Sequence, residues 1–360
     1  MNGKRVTAAL AVLLCILSVA SLFLGVIPLQ MEAILGGDFE QLEILLISRL
    51  PRLLAILCTG AGMSVAGLIM QQLCMNKFVS PSTGATISSA QFGILLAMLV
   101  FPDSSLADKA AFAFGAAIAG TYVFVYLMQK IRFQDVIMVP LVGIMFGNII
   151  SGVTDYLSYK YDMVQALSSW LVGDFSLVIR GRYEAVFLCL PLIVAAFLFA
   201  NHFNIVGMGE DFSRNLGVPY QVVLILGLSI AALITASVVV TVGSVPYLGL
   251  IIPNVISVFK GDRIKGSLPD TCLFGAVFVL VCDMVGRVVI YPYELPINLT
   301  VGILGSVIFI ALIFRRLGGG KRSGRRWGRG QAAAASRVMV KAARRSGCDR
   351  VLESTGGDMP

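Results

Sequence analysis

Ten stretches of this chain are apolar for about as long as a bilayer is thick. A hydrocarbon core of about 30 Å needs about 20 residues of helix to cross it. The stretches fall at roughly 6–28, 48–72, 84–101, 110–128, 136–157, 184–200, 222–242, 244–260, 271–290 and 297–314. No soluble core absorbs that much apolar chain. Hydrophobic residues make up 57% of the 360 and charged residues 13%, against about 25% charged in soluble domains. Disorder is excluded on the same ground, because it needs low hydrophobicity and high charge. The expected fold class is all-α: a polytopic membrane protein of about ten transmembrane helices. The first run follows Lys4 and Arg5, and no A-x-A pattern closes it. It reads as a retained helix and not as a signal peptide. Only Val242-Gly243-Ser244-Val245-Pro246 separates the seventh and eighth runs. That joint predicts either a tight hairpin or a helix broken at a cavity.

The net charge of +8 belongs to one end. From Arg315 onward lie 12 of the 28 basic and 3 of the 20 acidic residues, which leaves 16 basic and 17 acidic residues in 1–314. Nucleic-acid binding by the body of the protein is therefore not implied. Lys and Arg in short loops set membrane orientation. With the N-terminus inside, nine lie in inner loops against seven outer, tail excluded, and the even number of spans returns the tail to the same side. Three arginines fall on the wrong face. Arg49 and Arg52 open the second run, and Arg287 closes the ninth. Headgroup snorkelling would explain them, and so would internal pairing, since Asp283 and Arg287 are spaced i, i+4.

Catalytic patterns are missing. There is no HExxH and no GxSxG, and the single histidine, His202, has no nucleophile beside it in sequence. Gly318-Gly319-Gly320-Lys321 fails as a phosphate loop, because positions 315 and 322 are both Arg. The seven cysteines form no CxxC pair. No metal site and no cofactor is expected. An ion-coupled carrier needs ionisable groups at mid-membrane, and the runs offer few. They are rich instead in small residues, as in Gly60-Ala61-Gly62-Met63-Ser64-Val65-Ala66-Gly67. Small residues let helices pack closely.

One loop is more than a connector. Between the sixth and seventh runs, Glu210 and Asp211 suit a helix N-terminus and Arg214 suits its last turn. Gly217 suits a left-handed stop, and Pro219 blocks continuation. Phe212 and Leu216 form one apolar edge. The segment reads as a short helix on the inner face. It would lie on lipid or insert into a cytosolic partner.

Taken in order, these residues resemble the permease subunits of ATP-binding-cassette importers for iron-siderophores, haem and cobalamin. The resemblance runs from about Arg49 to Arg316. It is carried by Arg49-Leu-Pro-Arg52, by Gly60, Gly67 and Gln71, by Asn76, Pro81 and Gly84, and by Trp170-Leu-Val-Gly173. Gly209-Glu210, Leu216-Gly217 and Gly243–Pro253 follow, then Asp283, Arg287 and Glu294-Leu-Pro296. It implies a type II importer permease of ten helices. The permease domain would span 1–316, and 317–360 would be a basic, disordered cytoplasmic tail near inner-leaflet lipid. The implied partners are cytoplasmic ATPase subunits, a second permease copy or relative, and an extracytoplasmic substrate-binding protein. The implied location is the bacterial inner membrane, with both termini cytoplasmic.

The resemblance also assigns roles. Arg49, Arg52 and Arg287 look like docking groups for the binding protein. Glu210, Asp211, Phe212, Ser213, Arg214, Leu216 and Gly217 look like the helix that couples to the ATPase. Asn76 and Phe78 match the inner gate, which the stretch 134–138 would face. The chain departs from the family in two places. It reads Asn76-Lys77-Phe78 where members read Asn-Pro-Leu, and Pro253-Asn254-Val-Ile-Ser257 where they read Pro-His-x-x-Arg. The second variant resembles the ferric catecholate-type branch. The expected function is ATP-driven import of a ferric siderophore by a non-enzymatic subunit. Cobalamin or haem is the neighbouring substrate, and an ion-coupled carrier or a membrane-embedded enzyme is the reading from another class.

Overall fold

The computed structural model describes residues 3–25, 39–101, 103–130, 138–176, 178, 184–260, 264–311 and 314. The basic tail at 317–360 and the stretch 134–137 lie outside the described residues. The described residues up to 306 form one compact unit.

The apolar runs become helices: α1 (Gly3–Phe23), α2 (Phe39–Ile44), α3 (Leu50–Leu73), α4 (Thr86–Val100), α5 (Leu106–Lys130) and α6 (Met138–Lys160). They continue as α7 (Val164–Leu171), α8 (Cys189–Val206), α9 (Glu210–Asn215), α10 (Tyr220–Thr241), α11 (Leu248–Lys260) and α12 (Ile264–Val288), then α13 (Ile297–Ala311). Among the described residues, seven helices are long and apolar enough to cross a membrane, and α4, α11 and α13 are shorter apolar helices. The seven and the three stand where the ten runs were predicted.

Helix α3 is the centre of this unit. Its spanning window is 89% buried, against 6% for α1. Small residues make this possible. A Cβ on Gly60 would come within 2.5 Å of the Gly275 carbonyl on α12, and one on Gly67 would overlap the Gly249 carbonyl on α11. Backbone therefore lies against backbone at both points, as close packing in a membrane requires. Helix α1 is peripheral, with Val12, Ile16 and Val19 more than half exposed on an apolar face. Cys58, Cys74, Cys189 and Cys282 are buried free thiols.

The joint after α10 is a break and not a tight hairpin. Helix α10 stops at Thr241 and α11 starts only at Leu248. The 13 residues of α11 rise about 20 Å, too short for the hydrocarbon core. The eighth run was read too long because Val245 and Tyr247 are apolar without being helical. Non-helical backbone in a membrane needs protein partners, and the stretch 171–174 supplies them. Ser244 N–H donates to the Leu171 carbonyl at 3.1 Å, and Asp174 N–H donates to the Val242 carbonyl at 3.1 Å. Val172 and Ser244 form an isolated parallel bridge. Ile297 N–H, at the start of α13, donates to the Gly173 carbonyl at 2.9 Å.

The ninth run was read too short. Helix α12 begins at Ile264, so Asp270 lies inside it and is fully buried. The spans are thus less free of ionisable groups than the run boundaries suggested.

Candidate functional site

The three misplaced arginines come together. Arg52, near the start of α3, donates from Nη2 to Asp283 Oδ1 at 2.8 Å and from Nη1 to Glu294 Oε2 at 2.6 Å. Arg287 Nε donates to Asp283 Oδ2 at 2.8 Å, and its Nη2 also pairs with that oxygen. Its Nη1 donates to the carbonyls of Ser21 at 3.1 Å and Leu24 at 2.9 Å, and Nη2 donates to Ser21 Oγ at 2.9 Å. All five N–H groups of Arg287 are thereby used inside the chain, and the residue is 6% exposed. Arg49 donates from Nη1 to the Leu24 carbonyl. The cluster ties the end of α1 to the start of α3 and the end of α12. Three guanidinium groups face two carboxylates, so it carries net positive charge. Of the spacing-based readings, the Asp283–Arg287 pair is present as predicted. Arg52 and Glu294 joined it from 231 and 11 residues away in sequence.

A second polar tie closes the other end of α1. Lys260, ending α11, pairs with Asp270 Oδ2. Thr7 Oγ1 on α1 donates to Asp270 Oδ1 at 2.5 Å. Asp270 and Asp283 are thirteen residues apart on one helix, a rise of roughly 20 Å. Sequence reasoning missed Asp270. The signal was an ionisable residue just before an apolar run, at Pro269-Asp270.

The interhelical segment forms the expected short helix, α9. Helix α8 runs on to Val206 before it, so His202 sits on a helix, with its ring 5.8 Å from that of Phe199. At the other end Gly217 has φ +72°, its N–H donates to the Arg214 carbonyl at 3.0 Å, and Val218 N–H reaches back to the Ser213 carbonyl at 3.0 Å. That pair of bonds is a Schellman stop. Ser213 is buried, and its hydroxyl donates to the Gly209 carbonyl at 2.7 Å. Glu210 and Arg214 pair at 2.7 Å on an exposed surface, where such a pair contributes little. Phe212 is 43% and Leu216 55% exposed. The helix therefore presents a capped, apolar knob.

The loop after α3 is tightly built. Asn76 is buried, and its Oδ1 accepts the Phe78 N–H at 2.9 Å. Ser80 N–H donates to Thr83 Oγ1 at 2.9 Å, and that hydroxyl donates to the Phe78 carbonyl at 3.1 Å. A cavity of about 240 Å³ opens beside it, lined by Gln71, Gln72, Asn76, Gly207, Pro253 and Ser267 among others.

Helices that span a membrane, one broken beside a packed irregular segment, and a capped knob between two of them define a multi-pass transport subunit. The chain belongs to the FecCD transport family, whose pattern matches residues 13–315. It is 49% identical over 307 residues to the petrobactin import system permease protein YclN of Bacillus subtilis, covering 85% of this chain and 97% of that one. It is 36% identical over 299 residues to the ferric-anguibactin transport system permease protein FatD of Vibrio anguillarum, covering 83% and 95%. A solved structure of a metal-chelate type ABC transporter in an inward-facing conformation superposes with a TM-score of 0.74 at 25% identity. It covers 87% of this chain and 99% of that one.

Proposed function

We propose that this chain is the membrane-spanning subunit of an ATP-driven importer that carries a ferric siderophore across the bacterial inner membrane. The observation that carries the reading is the likeness over nearly the whole length of a petrobactin permease. Petrobactin or a chelate of similar chemistry is the proposed cargo. The sequence holds no phosphate-binding loop, so the energy comes from separate ATPase subunits, which seat Phe212 and Leu216 of α9 in a groove. A second permease copy or relative completes the path. An extracytoplasmic binding protein docks on the face that carries the arginine cluster. In this proposal Arg49, Arg52 and Arg287 give that face the positive charge that meets the binding protein. Asn76 and Phe78 form the inner gate, residues 1–316 form the permease domain, and both termini lie in the cytoplasm.

The decisive experiment is copurification of the tagged chain from membranes, followed by reconstitution with the binding protein and ferric petrobactin. Recovery of a nucleotide-binding subunit, vanadate-sensitive ATPase activity and ATP-dependent iron uptake are expected. A stable chain without an ATPase partner, moving iron on a proton gradient, would overturn the reading.

A further inference from the structure

Pro253 lies inside α11. Proline has no N–H, so the carbonyl four residues earlier, on Gly249, loses its helical donor. Another helix replaces it. Gln71 of α3 is buried and donates from Nε2 to the Gly249 carbonyl at 3.1 Å and to the Leu250 carbonyl at 3.3 Å. The approach is possible because Gly67 and Gly249 bring the two backbones into contact. Next to Pro253, buried Asn254 donates from Nδ2 to the Leu250 carbonyl at 2.7 Å and to the Lys77 carbonyl at 2.8 Å. Lys77 belongs to the loop after α3. That loop is stiffened by its own bonds, and its Thr83 carbonyl lies against Gly143 of α6, where a Cβ would overlap it. Gln72, the neighbour of Gln71, packs on Gly207, where a Cβ would likewise overlap the amide. Gly207 leads directly into α9.

We infer that Gln71 and Asn254 are positioning residues that link α9 to the loop 76–85 through the point in α11 where Pro253 removes a helical bond. The inference rests on the importer reading. A helix with a missing internal bond is the weakest point at which α11 can bend. The donor from α3 closes that point, and the bond from Asn254 makes the loop follow α11. Displacement of α9 by a cytosolic partner reaches α3 at Gln72 and is passed to α11 at the Gly67–Gly249 contact, where the Gln71 donor keeps α11 from bending. It then passes to the loop at Lys77 and to α6 at Thr83. Each step is a direct contact or hydrogen bond, which is the physical form a coupling path takes.

The test uses the complete importer in proteoliposomes, with ferric petrobactin as the probe and hydrolysis and uptake measured together. Gln71→Met and Asn254→Leu keep side-chain size and remove the donors. One buried hydrogen bond is worth about a tenfold shift in a two-state equilibrium. Each variant is expected to keep basal ATP hydrolysis and to import about tenfold less iron per ATP. Pro253→Ala returns an N–H to α11, so it should restore Gln71→Met and leave Asn254→Leu impaired. Wild-type iron per ATP in both single variants would overturn the inference. So would failure of Pro253→Ala to restore Gln71→Met, whether that variant is uncoupled or poorly recovered from membranes. A wild-type complex that moves no ferric probe would instead sink the importer reading, and the rescue would then be read from recovery of the folded chain alone.

Discussion

Asp283→Asn should be the most damaging isosteric change in the arginine cluster. Asp283 is 5% exposed and accepts from Arg52 Nη2 and Arg287 Nε, each at 2.8 Å, as well as from Arg287 Nη2. The asparagine keeps the shape. It removes the charge and turns an amide N–H toward guanidinium donors. Three arginines would then face Glu294 alone. Removing one partner of a buried ion pair costs about 3–5 kcal/mol, because the other charge stays buried. Glu294→Gln is the internal control. Its side chain is 25% exposed and its ion pair among the described residues is with Arg52, which keeps Asp283, so about 1 kcal/mol is expected. Unfolding of the purified subunit in mixed micelles would measure both. Hydrogen exchange at amides 20–25 should rise in Asp283→Asn, since Ser21 and Leu24 are held by Arg287. Equal stability of the two variants, or a larger loss in Glu294→Gln, would refute the argument that the cluster is a desolvated tie.

Three further outcomes are expected. Gly67→Ala places a methyl group into the Gly249 carbonyl, and should cost at least about 1–3 kcal/mol by overpacking, read as lost monodisperse protein. Arg49→Glu should weaken binding-protein docking at low salt and have a smaller effect at high salt, because rim charges act mainly on association; salt-independent docking would reject that role. Gly217→Pro with Glu210→Ala should separate hydrolysis from uptake. Proline cannot adopt φ +72° and removes the N–H that closes α9, so normal coupled uptake would show that the knob only lies on lipid.

What could be read from sequence divides along physical lines. Among the described residues, apolar length located the seven helices long enough to span, since burying a helix in lipid is a property of its own residues. Local spacing found the Asp283–Arg287 pair and the capped helix at Glu210–Asn215. Gly217 was legible as a stop because the requirement for a left-handed residue is also local. The break at Val242–Pro246 was only half legible. Hydropathy registers side chains, and the partners of that backbone come from 171–174 and 297. Asp270 is not legible as a membrane residue because the apolar run at 271–290 starts one residue after it. The proline in α11 was visible, but nothing near it in sequence identified Gln71, 182 residues away, as the replacement donor. Arg52 likewise showed its odd location and not its partner.

The distance between Arg52 and Asp283 also has a consequence for how the protein is made. They are 231 residues apart. At about 5–20 residues per second of synthesis, Arg52 is committed to its helix roughly 10–50 s before Asp283 exists. A guanidinium without a partner is costly in lipid, so during that interval the start of α3 must stay at the headgroup level. The Gly173 carbonyl likewise waits for Ile297 over 124 residues of synthesis, roughly 6–25 s. The start of α3 is therefore expected to reach its paired, buried state only when α12 arrives. A ribosome stalled before residue 283 should hold Arg52 accessible to water-soluble reagents, and one stalled well beyond 300 should not.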